Sequence, residues 1–217
     1  MIGLSIDTSS TYPSIAICKN ASIIYFKCEK NLNHHTKIID LIINNKLECL
    51  GLKLKNLDYI AVAIGPGRLT GLKIGISVAN ALYFLLKIPL VAISNFDATA
   101  FEHKGINMGI ILSDGSKRLY FQRYSGMVKS SSIHLIDKAQ VHKLRVKFNL
   151  VGNVDGVKKK FILNAKHIVN FANYKLSKTR NFKSDYIKPE YSINSHFIRN
   201  KGMCSILSQK GENNHQL

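Results

Sequence analysis

Hydrophobic and polar positions alternate loosely from Ile2 to Ile6, and again over Ser14 to Lys19 and Ser22 to Cys28. That period of two predicts three strands opening the chain as an antiparallel meander, with Lys19-Asn20-Ala21 as the second turn. The pattern then changes period. Thr36 precedes a helical segment from about Lys37 to Leu50, with Asp40 in its first turn and Gly51 as a stop signal. Leu57 to Ile64 reads as a buried strand, Leu72 to Leu86 as a helix, Pro89 to Ile93 as a strand and Phe96 to Glu102 as a short helix. Met108 to Leu112 and Arg118 to Tyr124 read as a strand pair around Asp114-Gly115, and Ser131 to Ile136 as another strand. Ala139 to Leu144 reads as a helix and Phe148 to Val151 as a strand. A meander feeding crossover units predicts mixed sheets with helices on them. No well-formed apolar helix is expected near residues 165 to 180, and the tail from Gly202 reads as disordered.

Two helices are more apolar than a helix covering a sheet needs to be. No charge falls between Lys73 and Lys87. Ile76, Ala79 and Tyr83 lie on one side, and Ile74, Val78, Ala81 and Leu85 on another. The earlier helix repeats this, with Ile38, Leu41 and Ile42 flanking Ile39, Ile43 and Leu47. The spare apolar faces either meet a protein partner or are buried under the second half of the chain.

Between the strand ending at Ile64 and the next helix stands Gly65-Pro66-Gly67-Arg68-Leu69-Thr70-Gly71. Pro66 must end the strand, and Thr70 is placed to cap the helix. A glycine loop before a helix start can bind an anion, or can simply let strand and helix pack closely. Asp7-Thr8-Ser9 and Asp114-Gly115-Ser116 are two acidic, hydroxyl-rich turns that a nucleotide-cleft ATPase would use in pairs, or are ordinary Asx turns. For an adenosine loop, Gly152-Asn153-Val154-Asp155-Gly156 is the one weak candidate. His34 and His35 are adjacent, so their side chains diverge and suit a helix start or an interface better than a metal. No catalytic residues and no metal site emerge from these patterns.

Charge adds one further pull. With 31 Lys and Arg against 13 Asp and Glu in 217 residues, the net charge of +18 favours polyanions such as RNA. An AT-rich genome yields the same lysine excess without a ligand. Cys18, Cys28, Cys49 and Cys204 have no zinc-like spacing, which fits a reduced intracellular protein, and Cys18 and Cys28 are candidates to face each other across a hairpin. The start carries no basic stretch before its first acid and does not read as a signal peptide. The segment from Leu82 to Ile93, broken by Lys87 and Pro89, is too short to span a bilayer.

Several of these residues together carry a resemblance. Ile6-Asp7-Thr8-Ser9, His35-Thr36, Gly65-Pro66-Gly67-x-x-Thr70-Gly71-Leu72-x-Ile74-Gly75 and Pro89-Leu90-Val91-Ala92-Ile93-Ser94 before Asp97-Ala98 resemble the TsaB (YeaZ) family. Pro189-Glu190-Tyr191 is similar to its late Pro-x-Tyr. The resemblance runs through the N-terminal half and is sparse beyond it. Three departures stand out: Arg68-Leu69 where the family usually has Ser-Phe, Ser113-Asp114-Gly115 where it has Asp-Ala-Arg, and Ile193 where it has Arg.

The resemblance implies an α/β, two-domain actin-like or sugar-kinase-like ATPase fold with ribonuclease H-like mixed sheets. Residues 1–103 would form the dimerising N-terminal domain, 104–201 a reduced C-terminal domain and 202–217 a disordered tail. It implies a non-catalytic scaffold, pairing with a TsaD-like subunit that transfers the threonylcarbamoyl group to the adenosine beside the anticodon, in tRNAs reading codons that begin with adenine. A TsaE-like ATPase and tRNA would join through the complex, and a homodimer would form when the chain is alone. The implied interface comprises His35, Thr36, Ile39, Ile43, Gly71, Leu72, Gly75, Ile76, Ala79 and Tyr83. Asp7, Thr8 and Ser9 are weak cofactor candidates. No tightly bound cofactor is expected, though nucleotide at the partner interface is compatible, and the setting is cytoplasmic, away from membranes. The alternatives are a small ATPase or kinase-like enzyme of the same fold, and a basic RNA-binding accessory protein.

Overall fold

A computed structural model describes residues 1–29, 47, 50–178 and 186–187. The helix expected from Lys37 to Leu50, the Pro189-Glu190-Tyr191 motif and the tail from Gly202 lie outside the described residues, Leu47 and Leu50 apart.

Two mixed sheets of the same design organise the chain. In the first, β1 (Ile2–Asp7) pairs antiparallel with β2 (Ser14–Lys19) and parallel with β4 (Tyr59–Gly65). β3 (Ser22–Cys28) and β5 (Leu90–Ser94) complete the order β3-β2-β1-β4-β5. The second sheet repeats the plan. β6 (Met108–Ser113) pairs antiparallel with β7 (Leu119–Ser125) and parallel with β10 (Asn149–Gly152). β8 (Val128–Lys129) and β9 (His134–Ile136) lie beyond β7, and β11 (Lys159–Lys160) lies beyond β10. This is the α/β sugar-kinase-like arrangement expected from the sequence. In the β2–β3 hairpin Cys18 stands opposite Ile23 and Cys28 opposite Ser14, so the two cysteines do not face each other.

Helices cover the sheets unequally. α1 (Leu69–Leu86) crosses from β4 to β5. In the second sheet, only residues 153–158 join β10 to β11, with no helix among them. A parallel connection usually takes a dozen residues or more, and this one is half that length. α2 (Asn95–His103) sits between the sheets, α3 (Lys138–Lys147) covers the second, and α4 (Ala165–Lys178) returns to the first. α4 corrects the expectation that no such helix forms near 165 to 180. Its Ala165, Ile168, Val169 and Ala172 recur at helical spacing and are fully buried. The polar residues between them hid that stripe in the linear pattern. A division after residue 103 would group this helix with the second sheet, yet it packs on β1 and β2.

Period-two alternation explains the two cores of the first sheet. Leu4, Ile6, Ile60 and Val62 point to the face under α1, with Leu72, Ile76, Ala79 and Leu82. Tyr59, Ala61, Ala63, Ala16 and Cys18 point to the other face, under α2 and α4. β1 carries small residues on that second face for a steric reason. A Cβ at Gly3 would stand 2.1 Å from the Tyr59 ring. Ser5 Oγ donates to the Ala165 carbonyl at 2.7 Å, and the Ala165 N–H donates to Ser14 Oγ at 2.9 Å, so two buried serines hold the start of α4. The halves meet through α2, whose Phe96 and Ala100 pack with Met108, Ile110, Leu112 and Tyr124. Tyr124 also donates to Asp97 Oδ1 at 2.6 Å.

By length and composition alone α1 would be long and apolar enough to cross a membrane. Its position as a crossover packed on β4 and β1 marks it as a core helix instead.

Candidate functional site: a sealed turn and an outward helix face

The Asp7-Thr8-Ser9 turn lies directly beneath the Gly-Pro-Gly loop. Asp7 Oδ1 accepts from the Ser9 N–H at 2.9 Å and from Ser9 Oγ at 2.5 Å. Asn95, at the start of α2, donates to Ser9 Oγ at 2.7 Å and to the Pro66 carbonyl at 3.0 Å, and the Arg68 N–H donates to the Ser9 carbonyl at 2.8 Å. Strand turn, glycine loop and α2 are thus one hydrogen-bonded unit. Asn95 was not among the residues singled out in the sequence. Its only signal there was its place just after the β5 strand, where the chain starts a helix.

The glycines of this loop serve close contact. A Cβ on Gly67 would meet the Ser9 carbonyl oxygen at 2.6 Å, and one on Gly75 would meet Thr8 Oγ1 at 2.2 Å. Loop and helix therefore rest on the turn itself. The expected Thr70 cap is also corrected. The helix begins at Leu69, its N-cap is Arg68, and no side chain caps it. The packing reading of the loop accounts for this geometry and the cradle reading does not.

Asp7, Thr8 and Ser9 are buried. Asp7 Oδ2, Thr8 Oγ1 and Asn95 Oδ1 find no hydrogen-bond partner among the described residues. Burial pushes the Asp7 carboxyl up to about 6, against the hydrogen bonds from Ser9 that pull it down. A carboxyl whose pKa is raised by folding holds its proton more tightly in the folded state. Its cost to stability is absent below pH 3.8, grows as pH rises from there to about 6, and is full above that. Asp7→Asn should therefore match the parent at about pH 3 and exceed it by about 2–3 kcal/mol at pH 8, measured by denaturant unfolding at both pH values.

The second acidic turn repeats the first. Asp114 Oδ1 accepts from the Ser116 N–H at 2.9 Å and from Ser116 Oγ at 2.5 Å. Between this second turn and the start of α1 runs a cleft of about 260 Å³, lined by Arg68, Leu69, Thr70, Gly71, Asp114, Gly115 and Ser116. The Arg68 side chain reaches across it. A Cβ on Gly115 would lie 3.0 Å from Arg68 Nε. The weak adenosine-loop candidate is occupied by a structural contact. Asn153 Oδ1 accepts from the Ser113 N–H at 2.8 Å, which fixes the end of β6. Among the described residues no three of His, Cys, Asp and Glu come together as a metal-binding group.

The interface residues expected on α1 divide by side. Gly71, Leu72, Gly75, Ile76 and Ala79 are buried on its inward side, and Tyr83 is half-buried against the same core. That corrects the choice of face. Two sides of α1 are equally apolar, and the glycines, read with Ala79 at spacing four, mark the side that must approach the sheet. The outward side carries Leu69, Phe84 and Leu85, which are 52%, 75% and 68% exposed. Lys73, Ser77 and Ala81 lie exposed between them. His35, Thr36, Ile39 and Ile43 lie outside the described residues.

This fold and its turns can be set beside known proteins. A family model for TsaD, tRNA N6-adenosine threonylcarbamoyltransferase, matches residues 28–171. A tRNA N6-adenosine threonylcarbamoyltransferase of Clostridioides difficile is 33% identical over 92 residues, which cover 39% of this chain and 27% of that one. A tRNA threonylcarbamoyladenosine biosynthesis protein TsaB of Buchnera aphidicola subsp. Schizaphis graminum is 33% identical over 206 residues, covering 82% of this chain and 95% of the relative. The chain belongs to the TsaB (YeaZ) family. A solved Pseudomonas aeruginosa protein, described as similar to peptidase YEAZ, superposes with a TM-score of 0.69 at 18% identity. It covers 88% of this chain and 98% of that one, so the TsaB/YeaZ fold extends over both sheets.

Proposed function

We propose that this protein is a non-catalytic accessory subunit in N6-threonylcarbamoyladenosine formation on tRNA, and that it supports a TsaD-type transferase by pairing with it. The single observation carrying this reading is the outward side of α1, where Leu69, Phe84 and Leu85 stand exposed beside a sealed turn. Burying each such side chain against a partner contributes roughly 1.5–3 kcal/mol. The packing of Gly67 and Gly75 onto Ser9 and Thr8 supports a scaffold over an ATPase or kinase, because it buries Asp7, Thr8 and Ser9 and keeps them out of the lining of the neighbouring cleft. The setting is the cytoplasm, where tRNA is modified. A TsaE-like ATPase and tRNA join through the transferase, and nucleotide, where present, sits at the subunit interface. In the absence of its partner the same apolar side pairs two copies of the chain.

The test is a double substitution. Phe84→Asp with Leu85→Asp should lower affinity for the co-expressed TsaD-type subunit by at least 100-fold, read by co-purification and titration calorimetry. The melting temperature should stay within about 2 °C of the parent, since both residues are surface positions. Unchanged pairing would overturn the proposed face. Threonylcarbamoyl transfer that proceeds at full rate without this subunit would overturn the function.

A further inference from the structure

The positive charge of this protein is concentrated, and the fold gathers it on one surface. Residues 1–103 carry ten Lys and Arg against seven acids, while residues 104–163 carry twelve against three. A compositional bias toward lysine would load both halves alike. Within the second half, α3 contains Lys138, His142, Lys143, Arg145 and Lys147 and no acid at all. An ordinary solvated helix mixes both signs, because pairs three or four residues apart stabilise it. Basic residues in the last turn are favoured by the helix dipole, but Lys138 and Lys143 stand outside that turn.

β11 continues this surface. Lys158, Lys159 and Lys160 are exposed at the edge of the second sheet, where six residues replace a crossover helix. Lysine on an edge strand also deters strand pairing, yet that accounts for β11 alone and leaves α3 unexplained. The turn leading into β11 lies against α3. A Cβ on Gly156, in the turn before β11, would rest 3.3 Å from Val141 of α3. Lys158 Nζ donates to Asn149 Oδ1 at 3.3 Å, two residues beyond the end of α3. The acids at this surface are Asp155, paired with Lys160 at 3.1 Å, and Asp137, which caps α3 by accepting from the Gln140 N–H at 2.8 Å.

We infer that the solvent face of α3 together with β11 is a docking surface for the phosphodiester backbone of RNA. Phosphate contact needs point charges at spacings set by a regular element, with no base-reading groups, and an exposed helix beside an extended lysine strand supplies it. The choice of RNA over other polyanions rests on the tRNA pathway proposed above. The surface lies on the second sheet, whereas the α1 face lies on the first, so both ligands can be held at once.

Two five-residue variants of the full chain test this. One replaces Lys143, Arg145, Lys158, Lys159 and Lys160 with Ala. The control replaces Lys19, Lys27, Lys53, Lys55 and Lys73, all exposed and in the first half. Binding of a labelled, unmodified tRNA transcript is followed by anisotropy between about 50 and 200 mM salt. The surface variant should lose at least tenfold in affinity, and its log K against log salt slope should fall by about 3 to 4. The control should change less than threefold. Equal losses in both variants, or no loss in the surface variant, would overturn the inference. So would tighter binding to phosphatidylserine vesicles than to the transcript at the same salt, which would assign the surface to membrane. Pairing with the TsaD-type subunit is measured separately on the same variant. Retained pairing with lost RNA binding supports both readings. Lost pairing in the Phe84/Leu85 variant bears on α1 alone.

Discussion

Ile76→Asp should leave no soluble folded protein, and the cause is burial rather than lost pairing. Ile76 is 3% exposed and packs among Leu4, Ile6, Val62 and Leu72 under α1. The substitution removes the three carbons beyond Cβ and places a carboxylate in that apolar cluster. Leaving a buried charge unpaired, together with the cavity, costs more than about 4–5 kcal/mol. That is a large share of the 5–15 kcal/mol of a typical domain. Expression should yield aggregate, and any soluble fraction should lack a cooperative melting transition. A folded Ile76→Asp chain that had merely stopped pairing would put this residue back on the outer surface. The Phe84/Leu85 variant is the matched comparison, because it changes the same helix on its exposed side.

Gly152→Ala carries the second large effect. Gly152 lies opposite Ile111 where β10 runs parallel to β6. A Cβ there would stand 1.9 Å from the Ile111 carbonyl oxygen and 2.9 Å from its carbon. Both are backbone atoms held in the ladder, so neither can swing aside as a side chain tip would. Relief requires the strands to part, at a cost of about 3 kcal/mol or more. The melting temperature should fall by roughly 6–12 °C, and amide exchange should accelerate in β6 and β10 ahead of β1 and β4. Gly126→Ala serves as the reference. It has φ +60 and nothing within 4 Å, so it meets only the left-handed backbone penalty of about 1–2 kcal/mol. Equal losses in the two variants would show that the Gly152 contact is relieved at no extra cost.

The central strands β1, β4, β6 and β10 were legible because both their faces are largely buried and apolar runs end at Pro66, Asp7 and Gly152. α1 was legible as a helix but not as an oriented one. Ile76 and Leu85 are equally apolar, and only packing against Thr8 through Gly75 separates inside from outside. α4 was hidden for the converse reason. Its inward residues other than Phe171 are small or β-branched and are interleaved with Lys166, His167, Asn170 and Asn173, so no strong apolar run marks it. The acidic turns were visible as Asx turns, and their likeness in the two halves was noted as chemistry. Their sealing depends on Gly67, Gly75 and Asn95 converging from three separate elements, which no local pattern reveals. Arg68 was noted only as a departure from the family's loop. Its reach to Gly115 is set by how the two sheets meet.

The return of α4 to the first sheet has a consequence for how the protein is made. The face carrying Ala16, Tyr59, Ala61 and Ala63 is closed by Ala165, Ile168, Val169 and Ala172. Those residues leave the ribosome more than sixty positions after β5 is complete. During synthesis the first sheet must therefore wait, half-covered, while the entire second sheet emerges and has the opportunity to fold ahead of it.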